Sequence, residues 1–259
     1  MLGKIAAAKR EEIKELKINL DLSRISARVD VIDPRPFLKR ADSSMAVIAE
    51  VKKASPVKGV LCNDFDPVSL AESYQRNGAG AVSVITDRRF FQGDKDYLTQ
   101  VKSAVDLPVL RKDFILDAVQ LYESVLLRAD IVLLIAAMHD YDSLLSLSEK
   151  AKHLGLYTLL EVHDRDELRI SHDLPVSMVG INNRNLKDFT VSLETSLQLI
   201  DGMPEGVIRV SESGISSHKD ISTLQRVGFH AALIGEALVT SAEPGLRLRE
   251  ILQQDKEVS

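Results

Sequence analysis

The chain has 259 residues, 45% apolar and 27% charged, which supplies a sizeable core and excludes a disordered or membrane-embedded composition. Its net charge of -5, 33 Lys plus Arg against 38 Asp plus Glu, argues against nucleic acid or an anionic membrane as the main partner. The single cysteine, Cys62, excludes an internal disulfide and a thiolate metal cluster and fits a reducing compartment. The opening "MLGKIAAAKREEIKELK" is amphipathic and charged, with no apolar run long enough for a signal peptide or a membrane span, so a cytoplasmic location is expected. Its run "KREEIKELK" reads as a solvated helix face laced by i,i+4 charge pairs, while Ile5, Ile13 and Leu16 can pack inward.

From residue 45 onward, short apolar runs alternate with helical stretches. They are "MAVIAEV" (45–51), "AVSVIT" (81–86), "LPVLRKD" (107–113) and "DIVLLIAA" (130–137), then "LYTLLEV" (156–162), "VSMVGINN" (176–183), "GVIRVSE" (206–212) and "HAALIG" (230–235). Nearly continuous apolar character is that of strands buried on both faces, and starts roughly 20 to 35 residues apart are those of repeated βα units. Between them, "DPVSLAESYQRNGAG" opens on an Asp-Pro start signal, "DYDSLLSLSEKAKHLG" ends at Gly155, and "SSHKDISTLQRVG" has a Ser before it and a glycine after. No Gly/Ser/Pro-rich linker divides the chain. The fold class expected is therefore α/β, a single (β/α)8 TIM barrel: one domain over 1–259, with an N-terminal helical extension (1–45) before the barrel (46–250). An open sheet of eight parallel strands is the alternative.

Side chains alternate along a strand, so Ile48, Glu50 and Lys52 share a face. The same parity joins Leu110 to Lys112, Leu159 to Glu161, Gly180 to Asn182 and Val210 to Glu212. If the apolar member of each set fills the barrel, the polar one projects into its C-terminal mouth, where active sites of this fold lie. Strand ends are often charged merely because they approach solvent. That explanation accounts poorly for two lysines and three glutamates meeting at one rim, close enough to perturb one another's pKa values. Gly214 and Gly235, in the loops after the seventh and eighth strands, predict a phosphate site, since no Cβ blocks an anion there. His139, His153, His163, His172, His218 and His230 are scattered without metal-ligand spacing, and His163, in parity with Glu161, is read as a supporting or solvent-facing residue. No dinucleotide fingerprint is present, and Cys62 has no activating neighbour in sequence.

Seven motifs, "IAEVKKASPVKG", "FFQGDKDYL", "LPVLRKDFI", "LLEVH", "GINNRNL", "VSESGI" and "LIGEAL", occur in order over residues 45 to 248 and resemble the indole-3-glycerol phosphate synthase family. The resemblance implies a (β/α)8 barrel with an extra N-terminal segment. It also implies closure of 1-(2-carboxyphenylamino)-1-deoxyribulose 5-phosphate to indole-3-glycerol phosphate, losing CO2 and water, with no cofactor and no metal. By the same resemblance Lys112 is the general acid at the ribulose carbonyl, and Glu161 and Glu50 handle later proton transfers. Lys52 and Arg184 hold the anthranilate carboxylate, Lys52 assisting dehydration as well. Asn182 and Glu212 contact substrate hydroxyls, and Ser213, Gly214, Gly235 and the Glu236 backbone hold phosphate. Phe91, Phe114, Leu133 and Leu186 line an apolar slot, and Ser55 and Pro56 lie in the first loop. Lys112 is expected near other cations and partly desolvated, with a lowered pKa that makes it a competent donor.

Val57 stands where the family often has a small polar residue, Ala237 where a serine is common, and "LRAD" (127–130) lacks the usual glycine. A barrel isomerase of the phosphoribosylanthranilate type would carry a Cys or Asp at the first strand end and an Asp near the sixth. Glu50 and Asn182 stand there instead. A non-catalytic phosphate-binding barrel has nothing in the rim residues to recommend it. The expected partner is a small phosphorylated substrate, with no nucleic acid or membrane, acting on a monomer.

Overall fold

The eight apolar runs cannot be left in water, and each becomes a strand. A computed structural model describes residues 1–21, 25–27, 30–42, 44–186 and 188–253. The chain begins with α1 (Leu2–Asn19), α2 (Arg35–Leu38), β1 (Ala46–Val51), β2 (Ala54–Ser55), β3 (Gly59–Val60) and α3 (Pro67–Arg76). It continues through β4 (Ala81–Ile85), α4 (Arg88–Phe91), α5 (Lys95–Ala104), β5 (Val109–Lys112), α6 (Ala118–Leu126), β6 (Ile131–Ile135) and α7 (Tyr141–His153). Then follow β7 (Tyr157–Val162), α8 (Arg165–Ile170), β8 (Met178–Asn182), α9 (Glu194–Leu199) and β9 (Ile208–Glu212). The last elements are α10 (His218–Arg226), β10 (Ala231–Ile234), α11 (Glu236–Val239) and α12 (Pro244–Leu252).

All strands but β2 and β3 run parallel in one closed barrel, ordered β1-β10-β9-β8-β7-β6-β5-β4, and β1 pairs with both β10 and β4. The open-sheet alternative is thereby excluded. Ile48, Leu110, Leu159 and Val210 fill the interior with Ile131, Met178 and Leu233. The opposite strand faces, among them Val47, Val82, Val109 and Leu160, are covered by the helices. Burying one such side chain contributes about 1.5–3 kcal/mol. Leu38 of α2, which no sequence signal marked, belongs to the interior cluster; Phe37 packs against it beside Gly80, at the end of the barrel away from the mouth.

The helix signals are realised as read. Asp66 caps α3 by accepting from the N–H groups of Val68 and Ser69, and Ser217 and Asp220 form a reciprocal capping box on α10. Arg128 of "LRAD" adopts φ 62°, the left-handed geometry that glycine takes without strain, at a cost of about 1–2 kcal/mol. Beside it Asp130 accepts from Lys102 Nζ at 2.6 Å, from the Val109 N–H at 2.8 Å and from the Ile32 N–H at 3.0 Å, tying the N-terminal extension to the barrel.

The charged run of α1 is not simply a solvated face. Ile5 and Ile13 are buried as expected, and so is Lys9, whose side chain is 2% exposed. Its ammonium lies 2.8 Å from Asp113 Oδ1, 3.0 Å from Asp87 Oδ2 and 2.8 Å from Glu12 Oε2. The pairs within the helix, Lys9–Glu12 and Glu11–Lys14, are spaced i,i+3 rather than i,i+4. No helix of the described residues is long and apolar enough to cross a membrane.

Candidate active site

At the C-terminal mouth of the barrel a cavity of about 740 Å³ is lined by every residue the motifs nominate. The strand tips contribute Glu50, Lys112, Glu161, Asn182 and Glu212, with Lys52 just past β1. Phe91, Phe114, Leu133 and Leu186 form apolar wall, the two phenyl rings lying 6.0 Å apart. Ser55 and Pro56 enter from the loop after β1, where β2 and β3 make a small antiparallel hairpin. Arg184 follows β8, and Ser213, Gly214, Gly235 and Glu236 follow β9 and β10.

Lys112 sits at the electrostatic centre. Its Nζ donates at 2.9 Å to Glu161 Oε2 and at 2.9 Å to Glu212 Oε2. Lys52 Nζ lies 3.3 Å from Glu50 Oε2 and over the Phe91 ring at 5.8 Å. The expectation for the Lys112 pKa is overturned in sign. Burial pulls it down, but the charges of Glu161, Glu212 and Glu50 outweigh that, and it lies above the ordinary lysine value. Its close neighbours are carboxylates, not cations.

Those carboxylates are not equivalent. Burial raises the Glu161 pKa, but Lys112 and then His163 pull it well below the usual range. For Glu212 burial is opposed by Lys112 and reinforced by repulsion from Glu161 and Glu50, and the result is about 7. Lys112 and His163 favour the charged form of Glu161, while burial and the neighbouring carboxylates disfavour that of Glu212, so the two titrate as a coupled pair.

Two glycines make room for this arrangement. A Cβ on Gly180 would stand 2.1 Å from Glu212 Oε1, and one on Gly235 would stand 2.2 Å from Glu50 Oε2. The side-chain face of Gly235 is thus filled by the Glu50 carboxylate. Gly180→Ala is expected to displace the Glu212 carboxylate and cost about 1–3 kcal/mol by overpacking. Urea unfolding measures this, and parent-like stability would show that Glu212 does not depend on the space. Directly after Glu212, Ser213 and Gly214 both take left-handed geometry, φ 68° and 77°, turning the loop sharply after β9. Asn182 Oδ1 accepts from the Arg184 N–H at 3.0 Å, which fixes the Arg184 loop to the strand tip.

Several lining or supporting residues escape sequence reading. Met1, Leu2 and Ile5 of the N-terminal segment reach the cavity, as do Lys58 and Phe189. Lys58 Nζ pairs with Glu236 Oε1 at 2.5 Å, linking the first loop to the start of α11. Asp87 and Asp113 hold up the aromatic wall: Asp87 accepts from the Phe90 N–H and Asp113 from the Phe114 N–H. Behind Asp113 the fully buried Arg111 bridges to Glu123 at 2.6 Å. The "RKDF" motif pointed to this neighbourhood; nothing in it signalled Lys9 as partner. Among the described residues no group of three or more His, Cys, Asp or Glu is arranged to hold a metal.

A closed parallel barrel with a titratable pocket at the C-terminal mouth of its strands places this chain among the (β/α)8-barrel enzymes. Residues 2–251 match the family model described as "Indole-3-glycerol phosphate synthase". Curated proteins of that name are similar along nearly their whole length. The one from Chlorobium luteolum is 48% identical, covering 93% of this chain and 94% of its own. The one from Chlorobium limicola is 47% identical, covering 93% and 95%. The chain belongs to the indole-3-glycerol phosphate synthase family. Among solved structures, a 3-hexulose-6-phosphate synthase superposes with a TM-score of 0.64 at 14% identity, over 81% of this chain and 99% of that one. KGPDC from Streptococcus mutans gives 0.63 at 10% identity, over 81% and 96%. At such identities these two share the fold alone.

Proposed function

We propose that this pocket closes 1-(2-carboxyphenylamino)-1-deoxyribulose 5-phosphate into indole-3-glycerol phosphate with release of CO2 and water, a carboxy-lyase step of tryptophan biosynthesis. The observation that carries the reading is the Lys112 ammonium held between Glu161 and Glu212 beside an aromatic slot. The substrate's ring stacks among Phe91, Phe114, Leu133 and Leu186. Its carboxylate lies against Lys52 and Arg184, and its phosphate against the backbone of Ser213, Gly214, Gly235 and Glu236. Asn182 and Glu212 take the ribulose hydroxyls, while Ser55 and Pro56 cover the site from the first loop.

As the carboxylate-bearing ring carbon attacks the ribulose carbonyl, negative charge grows on the carbonyl oxygen. A lysine held so firmly as ammonium is a reluctant acid toward a neutral carbonyl but a strong hydrogen-bond donor, and it can protonate the far more basic alkoxide. Glu212, 2.9 Å from Lys112 Nζ, can return that proton. Loss of CO2 then restores the aromatic sextet, for which the carboxylate needs placing rather than activating. Departure of the hydroxyl as water needs acid again, and removal of the remaining proton needs base. Those transfers fall to Lys52, Glu50 and Glu161, which line the same cavity. Every step is assigned to side chains of this chain, working as a cytoplasmic monomer with the 1–45 extension and the 46–250 barrel as one unit.

The test is direct. Purified protein given that substrate without added metal is expected to produce indole fluorescence, with stoichiometric CO2. Phosphate-ligand binding without turnover would instead support a non-catalytic barrel.

A further inference from the structure

A buried titratable pair that the proposed chemistry does not use stands behind Glu161. His163 comes directly after β7, and Glu167 lies in the first turn of α8. The ring Nε2 is 3.2 Å from Glu161 Oε1, and Nδ1 is 3.1 Å from Glu167 Oε2. That same Glu167 oxygen accepts the His163 backbone N–H at 2.8 Å. Asp164 fixes the turn by accepting from the N–H groups of Asp166 and Glu167, so the position of Glu167 is set by the helix cap.

The two oxygens of Glu161 therefore meet different groups, Oε2 the ammonium of Lys112 and Oε1 the ring of His163. Among the described residues Glu212 Oε1 is buried against Gly180 without a hydrogen-bond partner and has no such second ring beside it, whereas Glu161 Oε1 lies at ion-pair distance from His163 Nε2, though not in hydrogen-bond geometry with it. The two carboxylates share one lysine, and among the described residues Glu161 is the one of the pair also backed by a histidine ring.

We propose that His163, kept as an imidazolium by Glu167, is a positioning residue that holds Glu161 ionised and so assigns the exchangeable proton of the Glu161–Glu212 pair to Glu212. The inference rests on the indole-forming reaction proposed above. The charges facing Glu161 are Lys112 from β5, Glu212 from β9 and His163 itself, Glu50 from β1 acting on Lys112 and Glu212; those facing the ring are Glu161 and Glu167. Burial lowers the ring's pKa, but the hydrogen bond to Glu167, the close approach to Glu161 and the charges of both carboxylates raise it to about 10. A group raised from 6.5 to about 10 stabilises the fold fully below 6.5, and that stabilisation is lost as the pH climbs through 10.

The experiment compares the pH dependence of kcat/KM for the parent, His163→Gln and Glu167→Gln, with histidine-ring NMR of each substrate-free protein. Removing the imidazolium makes the carboxylate pair hold its proton to higher pH. In His163→Gln the limb governed by that pair is expected to move up by about one unit. In Glu167→Gln the ring should begin to titrate between about pH 6 and 8, where the parent ring stays protonated. Superimposable pH profiles, or a loss of rate by the same factor at every pH, would overturn the assignment, as would a parent ring that titrates at its ordinary value. If His163→Gln does not fold, Glu167→Gln and the parent spectra carry the test. A parent that makes no indole defeats the reaction, while the ring spectra still report on the clamp.

Discussion

Lys112→Ala is expected to lower kcat by about 10²–10⁴-fold while substrate affinity stays within about tenfold, roughly 1.4 kcal/mol. The asymmetry follows from where the substrate's ground-state charges are held. Its phosphate and carboxylate face the loops after β9 and β10 and the Lys52–Arg184 side, whereas Lys112 faces the oxygen that becomes charged only during attack. The substitution also changes the fold's response to pH, with a definite sign. In the parent Glu161 is depressed by Lys112 and His163, so it contributes stability above its unfolded value of 4.5 that is lost as the pH falls. In the variant Glu161 and Glu212 face each other without that cation, and their affinity for protons rises. The stability deficit should then be larger at pH 8 than at pH 5, on the order of a kcal/mol per displaced pKa unit. Steady-state kinetics with urea unfolding at the two pH values checks both parts. Equal losses in kcat and affinity would make Lys112 a binding residue instead.

The barrel and the strand tips were legible because both rest on the period of two along a strand. Ile48, Leu110 and Leu159 face inward, so Glu50, Lys112 and Glu161 must emerge at the mouth. What the chain could not disclose is which charges meet across the barrel. Lys112 finds its partners 49 and 100 residues away, and whether it is surrounded by cations or carboxylates decides the sign of its shift. A further role of Gly235 was hidden for a related reason: only the closed barrel shows that the space beside it is occupied by Glu50. His163 showed the right parity with Glu161, but its clamp depends on a helix turn four residues on. Lys9 was illegible, since a lysine among "KREEIKELK" has the local pattern of a solvated one.

Lys9→Met should be the most destabilising single change in the N-terminal helix, by about 3–5 kcal/mol, because it strips the cation from buried carboxylates. Asp113 would keep Arg111 and Thr86 as partners. Asp87 is worse placed: its Oδ1 accepts the Phe90 N–H, but among the described residues Oδ2 faces Lys9 and has no other hydrogen-bond partner. Burial lowers the Lys9 pKa and the charges of Asp113 and Asp87 outweigh it, so the ammonium's contribution is complete below the ordinary lysine value of 10.5 and fades only above it. Neutralising Asp87 removes the need for the cation, so Lys9→Met/Asp87→Asn should be more stable than Lys9→Met alone, and a double-mutant cycle should return a coupling of at least about 1 kcal/mol. The two aspartates anchor Phe91 through α4 and Phe114 through its backbone, so kcat/KM should fall even where Lys9→Met remains folded. Denaturant unfolding of the four proteins decides the matter. Parent-like stability of Lys9→Met would mean that α1 does not depend on these pairs, and additive effects in the cycle would mean that Lys9 and Asp87 act independently.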